Sequence, residues 1–171
     1  YTAELLRHLA LLDPTDEFVV FTRRDNQEFV PDHPRFRPVV ADFPWYSFAE
    51  QIRFPGLIRR SGIQLMHFPH FNVPMLSRAP FVVTIHDLIL RRFPTHAAST
   101  RSRLVYVAKR LGYQAVIAAA VRRARAIIAV SNFTAGEIAD AWPSVRRKVR
   151  VVPEWLSHLP ESSEPAAAVL Y

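Results

Sequence analysis

The stretch Pro80-Phe-Val-Val-Thr-Ile-His-Asp-Leu88 sets the strongest limit on what this chain can become. Phe81, Val82, Val83 and Ile85 form a short apolar and β-branched run, the pattern of a strand covered on both faces within a parallel sheet. The run stops at His86 and Asp87. Parallel sheets gather polar loops at the carboxyl ends of their strands, where ligands bind, so a site is expected at this pair.

Other runs surround it in alternation. Leu5, Leu6, Leu9 and Leu12 recur at helical spacing over Thr2 to Leu12, and Asp13-Pro14 ends that helix. Glu17 to Thr22 reads as a buried strand, and Phe36 to Val40 as a brief one among Pro31, Pro34, Pro38 and Pro44. Tyr46 to Arg60 is helical around Phe48, Ile52 and Leu57, with Pro55 and Gly56 expected to kink or interrupt it and Gly62 marking its end. Ile63 to His67 is a further strand, so two consecutive strands are expected to end in histidine, and a polar and aromatic loop, residues 68 to 74, follows the first of them.

A long basic helix is expected from His96 to about Arg125, with Gly112 as a candidate break, and then a strand over Ala126 to Val130. Ser131 is a good N-cap for the next helix, with Thr134 and Glu137 at capping-box spacing, and Trp142-Pro143 stops it. Lys148 to Val152 is a last strand, Ser157 to Pro165 has linker composition, and Ala166 to Tyr171 reads as the opening of another strand. Alternating strands and helices predict an α/β fold, a doubly wound, mostly parallel sheet flanked by helices. The domain is expected over residues 1–153, with 154–171 a linker leading to an absent carboxyl-terminal domain.

Composition narrows the function. A chain of 171 residues buries about two thirds of its unfolded surface, enough for a real core. It has no cysteine, which excludes disulfides and thiolate metal sites and makes a cytoplasmic setting the default. Twenty-two Lys and Arg against 15 Asp and Glu give a net charge of +7, so acidic partners fit. Much of that excess lies between Arg101 and Arg125, interleaved with Leu104, Val105, Tyr106, Val107 and Leu111, either a solvated face or one that rests peripherally on anionic lipid. No helix-turn-helix, zinc-finger or stacking signature accompanies the charge, so nucleic acid is not expected as a partner.

His86 is either a core histidine satisfied by backbone or a site residue, and its place at a strand's carboxyl end with Asp87 beside it favours the site. For His67 and His70, loop packing and turn formation beside Pro69 are favoured over a site role. By residue type His67, His70, His86 and Asp87 could ligate a metal, but no ligand spacing fixes one and none is expected. Ser131 and Asn132 open a helix whose free N–H groups border the same sheet edge and suit an anion.

Five segments then agree jointly with one family. Met66-His-Phe-Pro-His-Phe-Asn-Val-Pro74, Pro80 to Ile89, Arg92-Phe-Pro94, Ala124 to Thr134 and Lys148-Val-Arg-Val-Val-Pro153 stand in the order and spacing of family 4 glycosyltransferases. The chain resembles the amino-terminal Rossmann-like domain of that two-domain, GT-B arrangement. The family's first strand and glycine-rich loop would lie just before Tyr1, so the chain is expected to be a fragment, inactive alone. The resemblance implies retaining transfer of a sugar, mannose among the candidates, from a GDP- or UDP-linked donor to a glycan or lipid-linked acceptor, with no cofactor. His86 would touch the transferred sugar beside Asp87. His70, Phe71 and Asn72 would line the acceptor cleft, with Ser131 and Asn132 on its border. The chain departs from the family at Glu154-Trp155, where Asn-Gly is usual.

Two other classes compete. A catalytically degenerate domain that binds a glycan or a partner is favoured by that departure. A dinucleotide-dependent oxidoreductase shares the α/β pattern but requires a Gly-x-Gly-x-x-Gly turn, and glycines at 56, 62, 112 and 136 do not form one.

Overall fold

A computed structural model describes residues 1–12, 15–44, 47–92 and 103–154. The linker at Ser157 to Pro165, the strand at Ala166 to Tyr171, Trp155, residues 96–102 of the basic helix and the side chains of Leu104, Val105 and Tyr106 lie outside the described residues.

The strands are all parallel and fall into two hydrogen-bonded sets. In the smaller, β1 (Phe18–Thr22) pairs with β2 (Phe36–Val40), Phe18 opposite Phe36 and Thr22 opposite Val40. Pro38 fits β2 because an edge strand leaves one row of N–H groups without ladder partners. The larger sheet has the order β3-β4-β5-β6, with β3 at Met66–Phe68, β4 at Phe81–Ile85, β5 at Ala126–Ala129 and β6 at Val149–Val151. Ile85 stands opposite Ala129, and Ala129 opposite Val151, so the carboxyl ends of these three strands are level. The doubly wound sheet predicted from the sequence is therefore present as two parallel sets, linked through one aromatic: Phe54 packs edge-on against Phe21 of β1 and Phe68 of β3.

Phe54 belongs to α2 (Phe48–Arg60), which starts where the Ser47 hydroxyl accepts the Glu50 N–H and runs unbroken through Pro55 and Gly56. The packing of Phe54 and Ile58 on the core outweighs the hydrogen bond that proline removes. Ile58 and Glu50 face inward, whereas Phe48 and Ile52, expected to lie on the apolar face, are exposed. The helix ends at Gly62, whose φ of +66° is the left-handed conformation that a glycine adopts without steric penalty.

The remaining helices follow in chain order. α1 (Thr2–Leu11) precedes β1, and the short α3 (Ile89–Arg92) follows β4. α4 (Arg103–Arg123) connects β4 to β5 and is continuous past Gly112, since one glycine costs a helix of this length only about 1 kcal/mol. α5 (Asn132–Ala141) leads from β5, and a 3-10 turn over Pro143–Lys148 delivers the chain to β6. Val83, Ile85, Ile127 and Ala129 of the sheet are fully buried against Ile117 and Val121 of α4 and Ile138 of α5. Each large aliphatic side chain so buried contributes about 1.5–3 kcal/mol, which keeps the strand ends at fixed height.

Candidate functional site

His86 is the first residue beyond β4 and keeps 29% of its side chain exposed, so it sits on the rim rather than in the core. Its Nε2–H donates to the Pro69 carbonyl at 2.9 Å, a bond that ties the loop after β3 to the end of β4. Its Nδ1 lies 2.6 Å from Oε1 of Glu154, just past β6. Both ring nitrogens thus face acceptors, and a neutral imidazole has only one N–H to offer. The Tyr1 ring packs edge-on against His86 with centroids 5.1 Å apart.

The helix after β5 reaches the same place. The Ser131 hydroxyl accepts from the Thr134 N–H at 3.1 Å, which caps α5. The Thr134 hydroxyl donates to the His86 carbonyl at 3.1 Å, so the 3.0 Å contact between Ser131 and Thr134 is a bond donated by Ser131. The capping-box spacing of Thr134 and Glu137 is therefore replaced by a cap at Ser131 with Thr134 three residues into the helix. Asn132 and Phe133 are exposed at this start.

The other candidates have specific neighbours. Asp87 is exposed, and its Oδ1 accepts from the Ile89 N–H at 2.9 Å, opening α3. His70 packs at a tilt against Phe71 with centroids 4.0 Å apart and lies 6.2 Å from the His86 ring. Burial foremost, and then charge on His86, push the His70 imidazole below its ordinary pKa, with Asp87 opposing. Phe71 turns edge-on to Tyr113 of α4 and packs on the core. Asn72 donates through Nδ2 to both carboxylate oxygens of Glu50, at 3.1 and 3.0 Å. His86, Asp87, His70, Ser131 and Asn132 are thus gathered at one sheet edge, while Phe71 and Asn72 also anchor their loop to α4 and α2.

His67 is the middle residue of β3, not its end as expected, and its Nε2 lies 2.9 Å from the buried Thr84 hydroxyl, which also meets the Tyr1 hydroxyl at 3.1 Å. Burial lowers the His67 pKa. Sequence reasoning missed Tyr1, Thr84, Thr134 and Glu154. The odd Glu154 after β6 was the one available signal, since Thr84 looks like any strand threonine and nothing marks Tyr1 as a neighbour of His86.

No group of three or more His, Asp or Glu among the described residues is placed to hold a metal ion, and no described helix is long and apolar enough to cross a membrane. A groove of about 710 Å³ lies at the opposite, amino-terminal end of β3 and β4, between Ile52, Arg59, Leu76 and Arg78, away from His86.

Comparison with curated proteins finds no match. The family model described as Glycosyltransferase Family 4 matches residues 1–156 of the 171. That span takes in every strand of both parallel sets and every loop that meets at His86, and on it the chain belongs to glycosyltransferase family 4.

Proposed function

We propose that this domain forms the acceptor side of a retaining transferase that moves a hexose, mannose among the candidates, from a GDP- or UDP-linked donor to a glycan or lipid-linked acceptor. His86 meets the transferred sugar. Its ring is held by the Pro69 carbonyl at Nε2 and by Glu154 at Nδ1, so it meets the sugar as a ring fixed in advance, and polar groups preorganised where charge develops are typically worth a few kcal/mol of transition-state stabilisation. The observation that carries this reading is the convergence on His86 of the loop after β3, through Pro69, and the start of α5, through Thr134. Ser131 and the exposed Asn132 open α5 on the side of the cleft where a donor phosphate would sit. His70 lines it on the other, with Asp87 fixing the backbone turn that follows His86. No metal or cofactor is needed in this reading.

The test uses a protein that carries this domain together with the family's donor-binding domain. With a panel of GDP- and UDP-linked hexoses, nucleotide release identifies the donor, and His86→Ala then lowers transfer by about ten- to a thousandfold, the usual cost of one preorganised donor. Unchanged turnover in that variant removes His86 from the reaction. Saturable binding of glycan with no turnover on any donor selects the degenerate binding domain instead.

A further inference from the structure

Glu154 lies just beyond β6, and it is the residue that closes the ring of contacts around His86. We propose that Glu154 is a positioning residue of the transfer site, its carboxylate held against the Nδ1 side of His86 so that the ring keeps one orientation at the rim. The proposal rests on the reading of His86 given above and extends it to the segment leaving β6.

The geometry supplies the argument. On one side, the Pro69 carbonyl accepts from Nε2–H and has no hydrogen to return. On the other, Oε1 of Glu154 approaches Nδ1 to 2.6 Å, in the short range of charge-assisted bonds. The groups facing the ring are Tyr1 at its edge, His70 at 6.2 Å, Asp87 next in the chain, and Glu154. Of the two carboxylates Glu154 is the one in hydrogen-bonding contact, since Asp87 accepts from the Ile89 N–H.

The contact couples two distant parts of the chain. β6 is level with β4, so the first residues beyond it reach the His86 rim, and any shift of that segment moves the carboxylate relative to the ring.

Nitrogen-15 spectra of the histidine-labelled chain at pH 7 test the pair directly, with the His86 signals identified by their loss in His86→Gln. The His86 ring-nitrogen signals are expected to change between the parent and Glu154→Gln, because the Nδ1 contact is altered. Spectra for His86 that are the same in parent and Glu154→Gln overturn the proposal. In the two-domain protein, Glu154→Gln lowers kcat by about ten- to a hundredfold, the scale of a misaligned reacting group, with KM within about threefold. Glu154→Asp, which keeps the charge, recovers part of that loss. Full kcat in Glu154→Gln alongside a defective His86→Ala overturns the role of Glu154 and leaves the site standing, whereas full kcat in both removes the site itself.

Discussion

The Thr134 hydroxyl donates to the backbone carbonyl of His86 at 3.1 Å, joining the first turn of α5 to the end of β4. Neither residue would meet the other without β5 between them, since the pairing of Ile85 with Ala129 brings the two strand ends level. The bond fixes the height of His86 through its main chain, while Pro69 and Glu154 fix its ring. Backbone and side chain of one histidine are thus held by different elements.

Thr134→Val tests that linkage. The substitution keeps the shape of the side chain and deletes its hydroxyl, leaving the partly buried His86 carbonyl and the Ser131 hydroxyl each short of a partner. The expected loss is about 1–3 kcal/mol of unfolding free energy, measured by urea denaturation of the parent and variant chains. A loss below about 0.5 kcal/mol would mean that the bond is not formed in solution.

Stability should also depend on pH through two histidines. Burial lowers the His67 pKa below its ordinary 6.5, and His70 shifts in the same direction. Below about 6.5 the unfolded chain takes up protons that the folded chain refuses, so stability is complete above that value and falls as pH drops toward the lowered values. The slope is at most about 1.4 kcal/mol per pH unit for each proton. His67→Gln, which can still bond Thr84, should flatten the decline between pH 6.5 and 5 in denaturation midpoints; an unchanged slope would show that His67 is not the group responsible.

These relationships divide into those a sequence discloses and those it does not. The strand over Phe36 to Val40 appears with the predicted boundaries, and Ser131 caps its helix, because apolar runs and caps are local signals. Local signals do not say which side of α2 finds the core. Phe48 and Ile52 share the helical spacing of an inner face, yet Ile58 and Glu50 take it, since Asn72 supplies Glu50 with a partner and Phe48 finds none of the core. The partition of the strands into two sets, and the meeting of Glu154 with His86, depend on contacts between residues far apart in the chain, which no periodicity encodes. His86 itself was legible because a strand's end is a local event; its partners were not.

Part of the basic excess is structural rather than available to a partner. Lys148 donates through Nζ to the carbonyls of Arg122 and Ala124, at 2.9 and 3.0 Å, satisfying the end of α4 where the helix dipole favours a cation. The guanidinium of Arg123 donates to the carbonyls of Met75 and Ser77 and lies over the Phe81 ring, 5.8 Å from its centroid. It therefore holds the segment between β3 and β4 against α4, although its own side chain is exposed. Arg123→Lys keeps the charge but lacks the forked donors that reach two carbonyls at once. If the role is structural, Arg123→Lys costs about 1 kcal/mol in urea denaturation, the value of one hydrogen bond, and the loss persists in 0.5 M salt because bonds to carbonyls do not depend on long-range attraction. If Arg123 serves instead as a free surface cation, Arg123→Lys is neutral in stability, and only binding to anionic vesicles responds to charge removal.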